Sequence, residues 1–402
     1  MTVRPHAVIV SAIRTPMGSF NGIFSSIPST RLGSIAIAEA LKRVHVTGDQ
    51  IDEVLMGCVL SAGLGQAPAR QAAIGAGLPH KVGAVTVNKV CGSSLQTVVM
   101  AARSIALGEA QVIVAGGMEN MTRAPFLLEK ARQGYRLGHG ELTDSLIKDG
   151  LWDVYNQFHM GNAGELCAAR YQFSRQQVDD FALESYSRAR EAISAGSFTR
   201  EIVPVEVPQK KGAPLIVTDD EEPNRVDLSR LRQLKPVFQD DGVLTVGNSP
   251  SCNDGAAALV VMAEEEAHRL GLAPMARIVA YASAALAPEW FTIAPIEAIQ
   301  RLLKQTGLSV SDIDLFEINE AFSAVSLAIN REFGLDAKKV NVHGGAVALG
   351  HPIGATGARI LTTLLYAMEA RDARRGVASL CIGGGEALAL MVERLPKLHH
   401  QS

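Results

Sequence analysis

The hydrophobic pattern predicts an α/β protein made of two similar halves, with a long insertion in the first. Three observations carry this prediction. Strand-like runs alternate with amphipathic helices. The same order returns near the end of the chain. A more charged and irregular stretch, residues 119–246, separates the two. With 402 residues, 47% of them hydrophobic and 20% charged, the chain has material for two or three domains or one large layered body.

In the first half, residues 6–11 read as a strand and 32–44 as a helix with Ile35, Ala36, Ala38, Leu41 and Val44 on one face. Residues 54–60 and 85–90 read as strands. The second of these feeds a helix over 91–107, with Leu95, Val98, Val99, Ala102, Ile105 and Ala106 inward. Residues 111–115 form a buried strand ending in Gly116-Gly117. In the second half, 276–281, 313–318, 340–342 and 377–382 read as strands, and 295–306 and 355–370 as helices. Two alignments express the repeat. Ile51-Asp52-Glu53-Val54 matches Ile313-Asp314-Leu315-Phe316, and Val114-Ala115-Gly116-Gly117-Met118-Glu119 matches Cys381-Ile382-Gly383-Gly384-Gly385-Glu386. The insertion carries one clear helix start, where Ser174 and Gln177 form a capping box, and a polar stretch over 209–227. A strand over 254–262 rejoins the first half. The division is therefore 1–118 with 250–272, then 119–249 as the inserted domain lying over a site, then 273–402.

The formal charge of −3 is spread along the chain without a basic stripe, which excludes a nucleic-acid surface. The five cysteines (Cys58, Cys91, Cys167, Cys252 and Cys381) are far apart and odd in number. That spacing excludes a zinc knuckle or a disulfide framework and points to a reducing compartment. No signal peptide, transit stretch or membrane-length apolar run is read, and His399-His400-Gln401-Ser402 matches no retention or peroxisomal address. The expectation is a cytoplasmic protein, or a mitochondrial matrix protein already trimmed, with no membrane partner.

Cys91 lies where a strand ends and a helix begins, so the helix dipole would lower its pKa and favour a thiolate nucleophile. Read alone, the segment favours a small buried side chain over a nucleophile. His351 sits in a loop of glycines and a proline, rigid enough to take a thiol proton. A hydrogen-bonded loop histidine is an equal reading. Cys381 ends a buried strand before three glycines whose N–H groups are free to stabilise an oxyanion, though alone it reads as a core cysteine. Asn319-Glu320 follows a strand at the matching edge of the second half, where helix capping by Asn319 is the plain alternative. Strand ends from two halves converge readily on one site, which raises the joint reading above the separate ones.

Five motifs in order then resemble the thiolases across residues 8–395. They are Asn88-Lys89-Val90-Cys91-Gly92-Ser93, Gly116-Gly117-Met118-Glu119-Asn120-Met121, Asn319-Glu320-Ala321-Phe322, a run from Asn341-Val342-His343-Gly344-Gly345 to His351-Pro352-Ile353-Gly354-Ala355-Thr356-Gly357, and Cys381-Ile382-Gly383-Gly384-Gly385. The resemblance implies a five-layered αβαβα body with an inserted loop domain. It implies a reversible, ping-pong Claisen condensation of two acetyl-CoA to acetoacetyl-CoA and CoA, with no prosthetic group and coenzyme A as substrate and product. Cys91 would be acetylated, His351 would activate it, and Cys381 would move the α-proton. Asn319, through a water, would form one oxyanion hole with His351. The N–H groups of Cys91 and Gly383 would form the other.

Within the family the likeness is to the short-chain, acetoacetyl-CoA members, and particularly to their potassium-stimulated mitochondrial branch. His159-Met160 resembles the segment that closes the acyl pocket. Arg225, Val226, Asp227, Arg230, Ser249 and Phe322 would contact CoA. Tyr186 resembles a potassium ligand, joined by carbonyls of Val246, Gly247, Ser249 and Val347. Residues 65–71 resemble the dimer contact and 135–146 the tetramerisation loop, which implies a homotetramer. Two departures are visible. Pro250 replaces the serine that bonds the pantetheine arm, with Ser249 or Ser251 as substitutes, and His343 replaces an asparagine. The rivals are a broad-chain degradative 3-ketoacyl-CoA thiolase, a ketoacyl synthase and a non-catalytic thiolase-like binding protein. His159-Met160 argues against the first, Cys381 against the second, and the complete set of Cys91, His351 and Cys381 against the third. A papain-type cysteine peptidase lacks its local signature here.

Overall fold

The computed structural model describes residues 5–395, so the His399–Ser402 segment and the outermost ends of both halves lie outside the described residues. The first half comprises β1 (Ala7–Arg14), α1 (Ser29–Arg43), β2 (Glu53–Gly57), α2 (Pro68–Gly75), β3 (Gly83–Val87), α3 (Ser93–Leu107) and β4 (Val112–Asn120). An excursion containing α4 (Met160–Tyr171) and α5 (Arg175–Ser194) follows, and the chain returns as β5 (Asn253–Ala263). The second half comprises β6 (Ala276–Ala285), α6 (Ala294–Thr306), β7 (Leu315–Ile318), α7 (Ser323–Phe333), α8 (Thr356–Ala370), β8 (Arg375–Ile382) and β9 (Glu386–Glu393).

The main sheet has ten strands in the order β7-β8-β9-β6-β1-β5-β4-β2-β3, with a short strand, Gly18–Ser19, on β5. β1 and β6 share only two register pairs, Val8 with Arg277 and Ile9 with Ala276. Read outward from that junction, each half repeats the other. In both, two antiparallel pairings lead to a parallel one. The narrow junction lets the two halves of the sheet stack. α3 and α8 fill the space between them, with Leu95, Val98 and Ile105 meeting Ile360, Leu361 and Leu364 in one core. α1 and α2 cover the outer face of the first half, and α6 and α7 that of the second. The layers therefore run αβαβα. β4 and β5 are buried along their whole length because helices cover both faces, which explains why they read as continuous apolar runs.

The repeat is anchored by two aspartates. Asp52 Oδ2 accepts the N–H groups of Gln111 and Val112 at 2.6 and 2.9 Å, and Asp314 Oδ2 accepts those of Arg374 and Arg375 at 2.8 Å each. This upholds the first sequence alignment and corrects the second. With Val112 matched to Arg375, the counterpart of Cys381 is Met118. The glycine pairs differ in role: Gly116 and Gly117 lie within β4, whereas Gly383 and its neighbours turn the chain from β8 into β9.

Other expectations are corrected too. α1 buries Ile37 and Ala40, while Ile35, Ala38 and Val44 are only half-buried, because the helix starts three residues earlier and presents a rotated face. Residues 340–342 form no strand, only isolated bridges from Val340 to Phe316 and from Val342 to Gly344. The insertion holds a second helix, α4, whose two glycines and histidine cap hide it from propensity. Val90–Leu107 does reach membrane-spanning length, at 18 residues and a mean hydropathy of 1.3. α3, which makes up most of that segment, is this apolar because it packs between the two halves of the sheet, and it still carries an exposed Arg103. The capping box is as expected: Gln177 N donates to Ser174 Oγ, and Ser174 N to Gln177 Oε1.

The insertion is bolted on by a buried ion cluster. Arg14 of β1 donates to Glu201 Oε1 at 2.5 Å and to both oxygens of Asp220 at 2.6 and 2.8 Å, and Thr363 of α8 donates to the same Glu201 at 3.1 Å. Replacing Arg14 with Met would leave two carboxylates buried without a counter-charge. The expected loss is about 3–5 kcal/mol of stability, measured as a lower urea midpoint. An unchanged midpoint would refute this role.

Candidate active site

Cys91 lies on a sharp bend. Val90 takes φ of 45°, a left-handed conformation costing a β-branched residue about 1–3 kcal/mol. The bend is held by Asn88 Oδ1 accepting from Val90 N at 3.0 Å, and by Ser93 Oγ, which accepts from Lys89 N at 2.8 Å and donates to Val90 O at 2.6 Å. Lys89 also pairs with Glu386, tying the bend to the start of β9. α3 begins at Ser93, so Cys91 precedes the helix rather than opening it. Its pKa is not lowered. Burial pushes the thiol up to about 11, against the opposing pull of the Gly383 and Cys91 N–H groups directed at the sulfur. Desolvation outweighs the dipole because no cation sits beside the thiol.

His351 comes from the facing half. Its N–H donates to Asn253 Oδ1 at 2.9 Å, and its Nδ1 lies 2.6 Å from Thr356 Oγ1 at the start of α8. Burial, then the Arg359 charge, pulls the imidazole down to about 3, so it is neutral at physiological pH. The loop closes onto the first half at Gly354, whose N–H donates to Glu119 Oε2 at 2.9 Å. That carboxylate also accepts from Val59 and Leu60 N–H at 3.0 and 3.1 Å, and burial raises it to about 7. A side chain at Gly117 would meet Gly354 O at 2.1 Å, so only glycine lets the loop approach β4.

Cys381 is 1% exposed at the end of β8, and its thiol is raised, chiefly by burial and next by the Cys91 charge. The two sulfurs are thus electrostatically coupled. Asn319 is also 1% exposed, yet neither its Oδ1 nor its Nδ2 has a partner among the described residues. A buried amide left open on both sides is matched to a water or a substrate oxygen. Its neighbour Glu320 is fully engaged. It accepts from Asn341 Nδ2 at 3.0 Å, Ser185 Oγ at 2.8 Å and Val347 N at 3.0 Å, joining α5 to the His351 loop.

Cys91, His351 and Gly383 line one cavity of about 670 Å³, large enough for an extended ligand. His159, Met160, Phe322, Ser249, Val246 and Gly247 line it as well, and so do Val226, Asp227 and Arg230 at its outer end. Cys381 and Asn319 are not among its lining residues, although Gly383, two residues after Cys381, is. Arg225 stands apart, half-exposed and paired with Glu221 at 3.0 Å. Tyr186 and Val347 do not reach the cavity. They share a small core with Leu231, against which Gly247 also packs. Ser251 Oγ is committed to Asn253 Oδ1 at 3.0 Å, whereas Ser249 Oγ is buried without a partner. His343 sets its ring edge-on to Phe198 and does not line the cavity.

Phe238 escaped the sequence reading. Its ring stacks on His159 at 5.1 Å and meets Phe322 edge-on at 5.8 Å, so three rings from three segments wall one side. The available signal was a lone phenylalanine beside Gln239-Asp240-Asp241 in a polar loop. Cys252 and Ile353 escaped too. Both belong to the apolar cluster around Met121 that flanks Cys91.

This arrangement fits a family already known. Residues 7–265 match the model of the thiolase N-terminal domain and 272–394 that of the thiolase C-terminal domain. An acetyl-CoA acetyltransferase of Pseudomonas aeruginosa is 50% identical over 96% of this chain and 99% of its own length. Acetyl-CoA acetyltransferase 2 of Arabidopsis thaliana is 51% identical over 98% of each chain. Among solved structures, the Acat5 thiolase of Ascaris suum in complex with coenzyme A superposes with a TM-score of 0.93 at 42% identity, over 97% of this chain and 100% of that one. The Bacillus anthracis acetyl-CoA acetyltransferase superposes with a TM-score of 0.96 at 39% identity, over 98% and 100%. With both domain models matched across nearly its whole length, the chain belongs to the thiolase family.

Proposed function

We propose that this protein is an acetyl-CoA C-acetyltransferase, which condenses two acetyl-CoA to acetoacetyl-CoA and CoA and runs the thiolysis in reverse. The observation that carries this reading is the meeting of two coupled thiols and a neutral imidazole from two half-domains beside one cavity. The relatives named above support the short-chain substrate.

In the first step His351 takes the proton of Cys91, the thiolate attacks the acetyl-CoA carbonyl, and CoA leaves carrying that proton. The Cys91 and Gly383 N–H groups, already aimed at the sulfur, stabilise the developing oxyanion. In the second step Cys381 passes its thiol proton to Nε2 of His351, and the thiolate so formed removes the α-proton of a new acetyl-CoA. The enolate oxygen rests on the Nε2–H that His351 has just gained and on a water held by the open amide of Asn319. The carbanion attacks acetyl-Cys91 and expels its thiolate, which takes the proton from His351 as acetoacetyl-CoA leaves, so both thiols are restored. The raised proton affinity of Cys381 makes its thiolate a stronger base, as a C–H proton demands.

CoA would thread between the His159–Phe238–Phe322 wall and Arg230, with Val226 and Asp227 at its nucleotide end and Arg225 as a peripheral contact. Ser249, with its unpartnered hydroxyl, is better placed than Ser251 to stand in for the serine replaced by Pro250. Potassium is part of the same proposal. The neutral, buried Tyr186 and the backbone of Val347, Val246, Gly247 and Ser249 are oxygen donors suited to a hard monovalent cation. A bound cation would brace α5 against the His351 loop. A homotetramer is supported by exposed Phe126, Leu137 and Leu142 on the projecting segment of the insertion. The free thiols fit the cytoplasm or the mitochondrial matrix, and the substrates fit fatty acid metabolism.

The direct test is thiolysis of acetoacetyl-CoA against 3-ketohexadecanoyl-CoA, with and without potassium. The short substrate alone is expected to turn over quickly, and faster with potassium. Equal use of the long substrate would move the protein to the broad degradative class. Light scattering should give the mass of four chains, and a single-chain mass would exclude the tetramer.

A pH dependence follows from the buried imidazole. The folded pKa of His351, about 3, lies below its unfolded value of roughly 6.5. Between those values the unfolded chain binds the extra proton, so this group makes the fold lose stability as pH falls from 6.5 toward 3. His351→Asn removes that slope. The stability of the variant relative to wild type, taken from urea midpoints, should therefore rise between pH 7.5 and pH 5. Parallel curves would contradict the assignment of a neutral buried imidazole.

A further inference from the structure

Two short contacts meet at one hydroxyl beside the base. Thr356 Oγ1 lies 2.6 Å from His351 Nδ1 and 2.9 Å from Pro352 O. We propose that Thr356 is a positioning residue that sets the tautomer of His351, holding the proton on Nδ1 and leaving Nε2 bare to receive the proton of Cys91. The inference rests on the thiolase mechanism proposed above and adds a residue to it.

The argument is proton counting. A carbonyl oxygen only accepts, and a hydroxyl has one proton to give. If that proton pointed at Nδ1, the lone pairs of Thr356 Oγ1 and Pro352 O would face each other at 2.9 Å with nothing between them. If it points at Pro352 O, the contact to Nδ1 must be filled by the ring's own N–H. Only the second arrangement puts a proton in both contacts. Burial keeps the ring singly protonated, so a proton on Nδ1 means none on Nε2. The backbone holds both groups in place. His351 N is tied to Asn253 Oδ1 at 2.9 Å, and the N–H groups of Ala355 and Thr356 bond Pro352 O at 2.8 and 3.0 Å, which fixes the first turn of α8. The hydroxyl therefore sits where it touches Nδ1 and Pro352 O together. His351 and Cys91 share the cavity, and Nδ1 is committed to Thr356, so Nε2 is the nitrogen left to serve the thiol. Catalytic histidines elsewhere depend on a third group in the same way, since the wrong tautomer presents a donor where a base is needed.

A merely structural threonine would stabilise the helix start and leave the ring's protonation untouched. Long-range 1H–15N spectra of the full chain labelled at histidine separate these roles. His351 is assigned by its absence in His351→Asn. In wild type Nδ1 should carry the proton and Nε2 should appear as the bare nitrogen. Thr356→Val, which keeps the branched shape and removes the hydroxyl, should move the proton toward Nε2. It should lower kcat/KM for acetoacetyl-CoA thiolysis about a hundredfold with little change in KM. Thr356→Ser should restore both the spectrum and kcat/KM to within about threefold. A wild-type spectrum with the proton on Nε2 overturns the proposal whether or not the variants fold. So does a folded Thr356→Val variant with wild-type kcat/KM. Absence of thiolysis by wild type alongside an Nδ1–H spectrum would instead count against the proposed reaction and leave the tautomer assignment standing.

Discussion

The packing of α3 against α8 in the middle layer is the contact on which the rest of the site depends. The two helices meet at their N-termini. A Cβ at Gly357 would lie 2.4 Å from Leu95 N, and Ala358 N donates to Ser94 Oγ at 2.9 Å. No side chain fits between them there. Cys91 hangs two residues before α3, and His351 five residues before α8 begins. The close approach of two backbones therefore sets the distance between Cys91 and His351, the proposed nucleophile and base. Side chains on loops would drift. These two are fixed by helices that share a core with both halves of the sheet.

Burial then decides the chemistry of the pair. A thiol at about 11 and an imidazole at about 3 do not exchange a proton at rest. At neutral pH, the free thiolate is a minor species, on the order of one part in ten thousand. Transfer becomes favourable only when a thioester carbonyl arrives to take the charge and the N–H groups of Cys91 and Gly383 are there to hold it. This resting neutrality protects a nucleophile that shares its site with a second thiol. The surrounding apolar residues, Met121, Leu151 and Ile353 among them, keep the dielectric low, so the same desolvation that suppresses the thiolate strengthens every hydrogen bond to the oxyanion.

The two-half architecture was legible because strand and helix periods repeat, and because Asp52 and Asp314 recur at the same offset for the same backbone purpose. Cys91, Cys381 and Asn319 drew notice at strand ends and His351 in a glycine-rich loop, but each alone had a plain structural reading, and only their joint pattern singled them out. What escaped obeys longer-range physics. The pKa direction of Cys91 was misread because a dipole is visible in sequence order, whereas desolvation by the opposite half is not. Phe238 and Cys252 lie in segments with no period, and only the tertiary path of the insertion brings them to the cavity. The register of the second alignment failed because matching glycines do unlike jobs, one set admitting Gly354 and the other turning the chain.

The insertion is tied to catalysis through polar contacts rather than apolar area. Glu320 follows the open amide of Asn319 directly, and its carboxylate is held by Ser185 of α5 and by the N–H of Val347. Ser185 in turn accepts from Gly345 N at 3.0 Å. A shift of α5 along its axis would break both hydrogen bonds of Ser185 to buried groups at once, each leaving an unsatisfied partner worth about 1–3 kcal/mol. The insertion is thus discouraged from sliding over the core, and the orientation of Asn319 is inherited from α5. Tyr186 is the next residue on that helix. Any event that stiffens or loosens α5 there therefore reaches the oxyanion site through one side chain, Ser185, without moving either sheet.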